Sequence, residues 1–155
     1  MKILIAIDGS EHSKQAVQEI AARPWPSGSE VRIIHAVESP LPVLPDTMGV
    51  GAEFAREQFD RSAASGKEAL EAAAALVREG GNVENVTTSI VASPYLHSTA
   101  QTIVDDAVSF GADLVVVGSR GRSAWKRIVL GSVSSAVAQH AHCSVEIARP
   151  RQSGK

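Results

Sequence analysis

A glycine- and serine-rich stretch late in the chain holds the residues best suited to chemistry. Gly118 and Gly121 follow a short apolar run, and Gly131 precedes Ser132 and Ser134. Glycine permits a tight turn and a close approach of the backbone to a ligand, and we expect a positive φ at Gly121. The amino terminus of a helix offers unpaired N–H groups and the positive end of the helix dipole, to which serine adds hydroxyl donors. The pattern therefore predicts a cradle for phosphate groups.

The distribution of charge favours the same chemistry. No Asp or Glu occurs from Leu114 to Val145, whereas Arg120, Arg122, Lys126 and Arg127 lie between the glycines. The chain as a whole has a net charge of −2, so no general attraction to nucleic acid or to an anionic membrane is expected. Glycine and serine also occur where loops merely turn and helices are merely capped, and the spacing alone leaves that interpretation open.

A second polar group, Asp8-Gly9-Ser10, follows the first apolar run of the chain. The Asp8 carboxylate either caps the turn into the first helix or faces a ligand at a strand end, and the sequence leaves both roles open. Asp8, Ser10 and His12 do not predict a catalytic triad, because triads are assembled from distant segments of a chain.

Other familiar site patterns do not apply. The sequence contains no Gly-x-x-x-x-Gly-Lys-Ser/Thr motif, and the nearest approach to the dinucleotide-binding pattern, over residues 49–54, lacks its last glycine. His140, His142 and Cys143 lie close together, but no second cluster completes four ligands. We therefore predict neither a P-loop nor a metal site.

The elements that must position these residues alternate along the chain. Apolar and β-branched runs predict strands over residues 2–7, 31–37, 86–91, 114–117 and 144–148. Apolar residues at helical spacing predict helices from Ser13 onward and over about 53–79, 99–110 and 133–141. This alternation indicates a three-layer α/β/α domain, in which helices cover both faces of a parallel sheet.

The length of 155 residues is the usual size of one domain, and we interpret residues 1–148 as a single domain. The proline-rich stretch Glu38–Gly51 is predicted to be a surface loop, and residues 149–155 a polar tail.

The cellular compartment follows from cysteine usage and the start of the chain. Cys143 is the one cysteine and cannot form an internal disulfide, and the first apolar run is too short for a signal peptide. We expect a cytoplasmic protein without a membrane segment.

Ile3–Ser13 with its Asp-Gly-Ser, Ala112–Gly121, and the spacing Gly118-x2-Gly121-x9-Gly131-Ser132 stand out together. In combination they resemble the universal stress protein (UspA-like) family over nearly the whole chain, and the spaced glycines are similar to the motif of its ATP-binding branch. The resemblance implies an adenine nucleotide alpha hydrolase-like fold, a five-stranded parallel sheet of order 3-2-1-4-5. That order places strands one and four side by side at the topological switch point, where open α/β sheets bind ligands.

The resemblance also implies a role for each matching position. Ala6 and Asp8 would line the adenine and ribose pocket, and Ala36 would contact adenine. Ribose and phosphates would be held by Gly118, Ser119, Arg120, Gly121, Arg122 and Ser123. The β and γ phosphates would be received by Gly131, Ser132, Val133 and Ser134.

The leading functional hypothesis is a cytoplasmic ATP-binding protein that regulates a stress response, with ATP bound with or without Mg²⁺. Beyond Asp8 we find no acid suited to hold magnesium or to orient water, so we expect slow hydrolysis at most and assign no catalytic residue. One alternative is an ATPase or adenylyl-transfer enzyme on the same fold. Another is an interaction module without a ligand, against which the intact glycine motif counts.

The last strand predicts a contact with a second copy of the chain. Val145 and Ile147 alternate with polar or small residues on what should be an edge strand, and Pro150 follows it. Two-fold pairing would cover an apolar edge, and the resemblance also implies a homodimer. We therefore expect an adenine nucleotide and a second copy as partners, and neither nucleic acid nor a membrane.

Overall fold

The computed structural model describes residues 1–38, 50–93, 97–121 and 130–150. Strands and helices alternate through these ranges. The strands are β1 (Lys2–Ala6), β2 (Glu30–Glu38), β3 (Asn85–Ser93), β4 (Leu114–Gly118) and β5 (Ser144–Ala148). The helices are α1 (Glu11–Ala22), α2 (Val50–Glu79), α3 (Thr99–Phe110) and α4 (Ser132–His140).

The five strands form one parallel sheet in the order β3-β2-β1-β4-β5. β1 lies at the centre, where Ala6 pairs with Ile34 of β2 and with Val117 of β4. Parallel neighbours cannot be joined by a tight turn, and a helix lies in each connection between successive strands. The order confirms the expected 3-2-1-4-5 sheet and the predicted fold class.

Side chains that alternate along β1 build a separate core on each face of the sheet. Ile3 and Ile5 pack with Ile20 of α1 and with the apolar stripe of α2. Leu4, between them, packs on the opposite face with Ile103 of α3. Burial of each such side chain stabilises the fold by roughly 1.5–3 kcal/mol. Helices are thus held on both faces, as the three-layer prediction requires.

The boundaries around α2 differ from the predicted ones. This helix begins at Val50, and β2 runs to Glu38, so the loop predicted over Glu38–Gly51 was wrong at both ends. The remaining residues, 39–49, lie outside the described part of the chain. Glycine near a helix start lowers stability by only about 1 kcal/mol, and proline excludes a helix only in its own vicinity. Neither prevents a helix that begins five residues after Pro45.

In the described ranges, no helix combines the length and the apolar character that crossing a lipid bilayer would require. The last five residues of the predicted polar tail, 151–155, lie outside those ranges.

Candidate functional site

The carboxyl ends of β1 and β4 meet in the middle of the sheet. Ala6 pairs there with Val117, and Gly118 ends β4. The chain then leaves toward opposite faces, because α1 packs in the core with α2, whereas α4 packs in the core with α3. Such a divergence opens a crevice at the carboxyl edge, where open α/β sheets bind ligands. Ala36 lies in the neighbouring β2, two residues beyond Ile34, the partner of Ala6.

Asp8 lies just past β1 and organises the turn into α1. Its Oδ1 accepts a hydrogen bond from the Ser10 N–H at 3.0 Å, and Gly9 between them has a φ of 78°, which favours glycine. Ser10 then caps α1, because its hydroxyl accepts from the Ser13 N–H at 3.2 Å. The other carboxylate oxygen, Oδ2, lies beside Gly121. Asp8 therefore caps the turn with one oxygen and meets the glycine loop with the other.

Close packing explains the first two glycines of the motif. A Cβ on Gly118 would lie 2.8 Å from the carbonyl carbon of His12 and from the nitrogen of Ser13, so α1 can approach the strand end only because no side chain is there. A Cβ on Gly121 would lie 2.9 Å from Asp8 Oδ2. The expectation of a positive φ at Gly121 was wrong, since its φ lies outside the left-handed region. The approach of Asp8 is the reason that glycine fits this position.

Ser119 joins three elements beneath the loop. It is buried, and its N–H donates to the Ala148 carbonyl of β5 at 2.8 Å. Its carbonyl accepts from the Gly131 N–H at 2.8 Å and from the Ser134 hydroxyl at 3.1 Å. Its hydroxyl hydrogen-bonds Nδ1 of His12 at 2.8 Å, and either group can donate. Ser119 thus holds the loop, α1 and α4 together through its polar groups.

The backbone of Arg120 lies between the turn into α1 and the start of α4. Its carbonyl accepts from the Ser10 hydroxyl at 3.3 Å, and its Cα lies 3.4 Å from the position of a Cβ on Gly131. Its Nε is buried and finds no hydrogen-bond partner in the part of the chain that the structure describes. A buried N–H without an acceptor costs free energy. An acceptor within reach of Nε, such as an oxygen of a bound anion, would remove that cost.

The start of α4 has no side-chain cap among the described residues. Gly131 is the N-cap, and none of the described side chains accepts a hydrogen bond from the first turn there. Its φ of −74° and ψ of 162° suit any residue, and a Cβ would meet no described atom closer than 3.4 Å. Ser132 is exposed and Val133 half-buried, whereas the buried Ser134 donates its hydroxyl to the carbonyls of Ser119 and Gly131. The first turn therefore offers backbone N–H groups and the Ser132 hydroxyl, while the Ser134 hydroxyl points into the protein.

Two of the predicted nucleotide contacts, Arg122 and Ser123, lie outside the described residues, as do the cations Lys126 and Arg127. The structure brings the other loop positions, the Asp8 turn and the start of α4 together at one edge of the sheet. His12 was not among the predicted site residues, because the only role considered for it was in a catalytic triad, and that role was rejected. No local pattern could have placed it beside the loop, because positions 10–14 are all polar.

No group of three or more His, Cys, Asp or Glu residues within the described ranges is arranged to hold a metal ion. Nδ1 of His140 hydrogen-bonds the Ala136 carbonyl of its own helix at 2.8 Å. Burial raises the pKa of the Cys143 thiol above its usual value, and the negative charge of Asp113 adds to the effect. A raised pKa disfavours the thiolate, the form that acts as nucleophile or metal ligand.

Curated relatives of similar length match nearly the whole chain. Universal stress protein Sll1388 of Synechocystis sp. is 31% identical over 153 residues, which cover 94% of this chain and 96% of that protein. Universal stress protein YxiE of Bacillus subtilis is 32% identical over 151 residues, which cover 96% of this chain and 98% of that protein. Both proteins are named as universal stress proteins.

Solved structures share the fold. The hypothetical protein MJ0577 aligns with a TM-score of 0.80 at 24% identity, covering 98% of this chain and 97% of that one. A universal stress protein in complex with cAMP has a TM-score of 0.59 at 20% identity, with 96% of each chain covered. The universal stress protein from Archaeoglobus fulgidus in complex with dAMP has a TM-score of 0.60 at 20% identity, with 96% and 98% covered. At these identities the likeness shows the fold alone.

The model of the universal stress protein family matches residues 1–149. That range includes all five strands, the Asp8 turn, the glycine loop and the open start of α4. Since the match spans nearly the whole chain, this protein belongs to the universal stress protein family.

Proposed function

We propose that this chain is a cytoplasmic regulatory protein of the stress response that binds ATP at the carboxyl edge of β1 and β4. The observation that carries the proposal is the start of α4, which has no side-chain cap among the described residues and begins at a glycine that neither conformation nor packing requires. Backbone N–H groups at such a helix end bind anions. The phosphates of a nucleotide would supply the acceptors that a capping side chain supplies elsewhere.

Arg120 supports phosphate at this position. Its buried Nε lacks an acceptor among the described residues, and a phosphate oxygen between the loop and α4 would provide one. The sequence carries no Asp or Glu from Leu114 to Val145. Neither the glycine loop nor α4 would therefore bring a carboxylate to the phosphate. Charge-assisted hydrogen bonds of this kind are about twice as strong as neutral ones.

The base and sugar would lie over the ends of β1 and β2. Ala6 and Ala36 are small and half-buried, which leaves room for a ring above the strands, and Asp8 Oδ2 would accept from a ribose hydroxyl. The cAMP and dAMP complexes of two structural neighbours support an adenine base. The choice of ATP rests on the resemblance of the glycine motif to the ATP-binding branch and on the capacity of α4 for further phosphates.

We expect hydrolysis to be slow at most. Asp8 Oδ1 already accepts from the Ser10 N–H, and the loop and α4 carry no acid. Mg²⁺ is commonly held by one or two carboxylates together with the phosphates of its nucleotide, so Asp8 is the residue that would contact an ion arriving with ATP. Turnover within the roughly 1–100 s⁻¹ of kinases, lost in Asp8→Asn, would favour the enzyme alternative instead.

Two measurements on the purified protein test ATP binding. Mass spectrometry of the denatured protein should reveal a co-purified adenine nucleotide. Calorimetry should show that ATP binds and that adenosine binds much more weakly, because adenosine gives the open start of α4 and Arg120 no phosphate. If no nucleotide co-purifies and ATP gives no heat of binding, the chain is an interaction module without this ligand.

We also propose that two copies pair along β5. The Ser119 N–H donates to the Ala148 carbonyl, so the backbone groups of Ala148 and, by alternation, of Glu146 face β4. The backbone groups of Val145 and Ile147 then face away from the sheet. Their side chains pack against the core of α3 and α4, which corrects the expectation of an open apolar edge. The free edge is a row of backbone donors and acceptors, which another strand can extend.

The charge on this strand is compatible with such pairing. The Glu146 carboxylate accepts two hydrogen bonds from the Arg23 guanidinium, each of 2.8 Å, and the pair raises the pKa of Arg23 above its usual value. Like charges that face each other across paired strands are destabilising. Arg23 would reduce that repulsion between two Glu146 side chains near a two-fold axis.

Light scattering of variants tests the dimer. Val145→Pro removes an N–H that faces outward and should give monomers while leaving the pairing of β5 with β4. Val145→Thr keeps that N–H and should remain dimeric. A wild-type protein that is monomeric at tens of micromolar would exclude the proposal.

A further inference from the structure

Three side chains of the turn into α1 contact three consecutive residues of the glycine loop. The pairs are Asp8 with Gly121, Ser10 with Arg120, and His12 with Ser119. The two segments therefore lie side by side in opposite directions. Gly118 completes the contact, because its lack of a side chain lets the backbone of α1 reach the end of β4.

The pair of His12 and Ser119 joins distant parts of the chain. The two residues are 107 positions apart, and His12 Nδ1 lies 2.8 Å from Ser119 Oγ. Ser119 is only 1% exposed, so water cannot easily replace this partner. On its other side, the Ser119 carbonyl accepts from the Gly131 N–H at 2.8 Å. A continuous chain of hydrogen bonds thus runs from the imidazole through Ser119 to the N-cap of α4.

We propose that His12 is a positioning residue for the phosphates of the bound nucleotide. It fixes Ser119, and through Ser119 it sets the distance between the Arg120 backbone and the open start of α4, without touching the ligand itself. The inference rests on the proposed function, because it assigns His12 a role at that same site. Without the imidazole, the Ser119 hydroxyl loses its described partner, and within the described ranges the loop is held to α4 only through the Ser119 carbonyl, which accepts from the Gly131 N–H and the Ser134 hydroxyl.

Calorimetry with ATP and with adenosine tests this role in two variants. His12→Leu should weaken ATP binding by about two- to twelvefold, the range that one ordinary hydrogen bond gives, and should leave adenosine binding unchanged. His12→Asn places an amide where the ring nitrogen lies, and it should restore ATP affinity. A purely structural role would weaken both ligands alike and would not distinguish Leu from Asn.

Ser119→Ala provides the matched partner variant. It should weaken ATP binding as much as His12→Leu does, and the double variant should lose no more than either single one, because both remove the same interaction. In the ligand-free protein, amide hydrogen exchange at Gly131 should be faster in His12→Leu than in His12→Asn.

The outcomes separate this inference from the proposed function. If wild type binds ATP, but His12→Leu binds it equally well or the two single effects simply add, His12 has no positioning role and the nucleotide site stands. If wild type binds no ATP, the proposed function fails, and the role of His12 in phosphate binding fails with it.

Discussion

The starts of α1 and α3 are built differently from the start of α4. Ser10 caps α1 by accepting from the Ser13 N–H, and Ser98 caps α3 by accepting from the Gln101 N–H, each at 3.2 Å. α4 begins at Gly131, where no described side chain accepts from the first turn. Serine thus caps α1 and α3 but not α4, although a Cβ on Gly131 would meet no described atom closer than 3.4 Å.

A cap stabilises a helix start but occupies the N–H groups that could otherwise bind a ligand. A capping side chain typically contributes about 1 kcal/mol relative to alanine, and the caps of α1 and α3 supply it. At α4 no described side chain accepts from the first turn, and the Arg120 Nε of the neighbouring loop finds no acceptor in the described part of the chain. Both are donors without an acceptor among the described residues, and the proposed phosphate would supply acceptors to both.

The largest expected effect on ATP binding comes from adding a side chain at Gly121 in the glycine loop. In Gly121→Val the added atoms would begin 2.9 Å from Asp8 Oδ2, so the carboxylate would have to turn away and the branched side chain would occupy the proposed phosphate cradle, and ATP binding should be lost. The loop lies at the surface, and the fold should persist. Calorimetry measures the binding, and circular dichroism serves as the control. A well-folded variant with wild-type ATP affinity would show that the glycine loop is structural and that the proposed site is wrong.

An acidic residue at the N-cap should give α4 the side-chain cap that α1 and α3 already have. In Gly131→Asp the carboxylate would accept from the first turn and raise the free energy of unfolding by a few tenths to about 1 kcal/mol. It would also repel phosphate, which should weaken ATP binding at least roughly fivefold. Urea unfolding and calorimetry measure the two changes.

Gly131→Asn separates the effect of charge from that of capping. Asn has nearly the shape of Asp without its charge, so it should weaken ATP binding less. If Gly131→Asp gains stability and keeps full affinity, the phosphates do not lie at the start of α4.

Ser132→Ala should have a moderate effect on binding. The exposed hydroxyl would be lost while the backbone N–H groups of α4 remain, so ATP affinity should fall by roughly five- to thirtyfold, or about 1–2 kcal/mol. The free energy of unfolding should hardly change, because this serine caps nothing in the described structure. An unchanged titration with ATP would remove Ser132 from the site.

Ser98→Ala should have the smallest effect on binding and is the matched serine-to-alanine control. Its hydroxyl caps α3, so the free energy of unfolding should fall by about 1 kcal/mol. ATP affinity should stay at the wild-type value, since Ser98 makes no hydrogen bond to the glycine loop or to α4 within the described ranges. Loss of affinity here would mean that general destabilisation, rather than a local contact, explains the Ser132 result.

The sequence alone predicted every strand and helix near its observed position, since hydrophobic period and turn residues are local properties. The errors lie where two local patterns that predict different structures overlap. Proline and glycine predicted a loop up to Gly51, but the helical pattern of α2 extends to Val50. The strand order was inferred from the resemblance to a family, because periodicity does not specify which strands are neighbours.

Two residues show what the amino-acid pattern could not supply at the site. Gly121 was expected to need a positive φ, yet its neighbour Asp8, far away in the chain, is what limits the space there. His12 had no evident purpose in the sequence, and the fold places it on Ser119.

The core contains a similar case, in which a histidine and a glycine fit each other. Nδ1 of the buried His35 lies 2.8 Å from the Ile7 carbonyl, and a Cβ on Gly66 of α2 would collide with the imidazole ring.

The sequence by itself determined the alternating elements, the apolar faces and the glycine–serine motif, because each depends on residues a few positions apart. Only the tertiary structure decided which glycines are required by packing and which partners His12 and His35 meet, because those contacts exist only once the strand order has brought distant segments together.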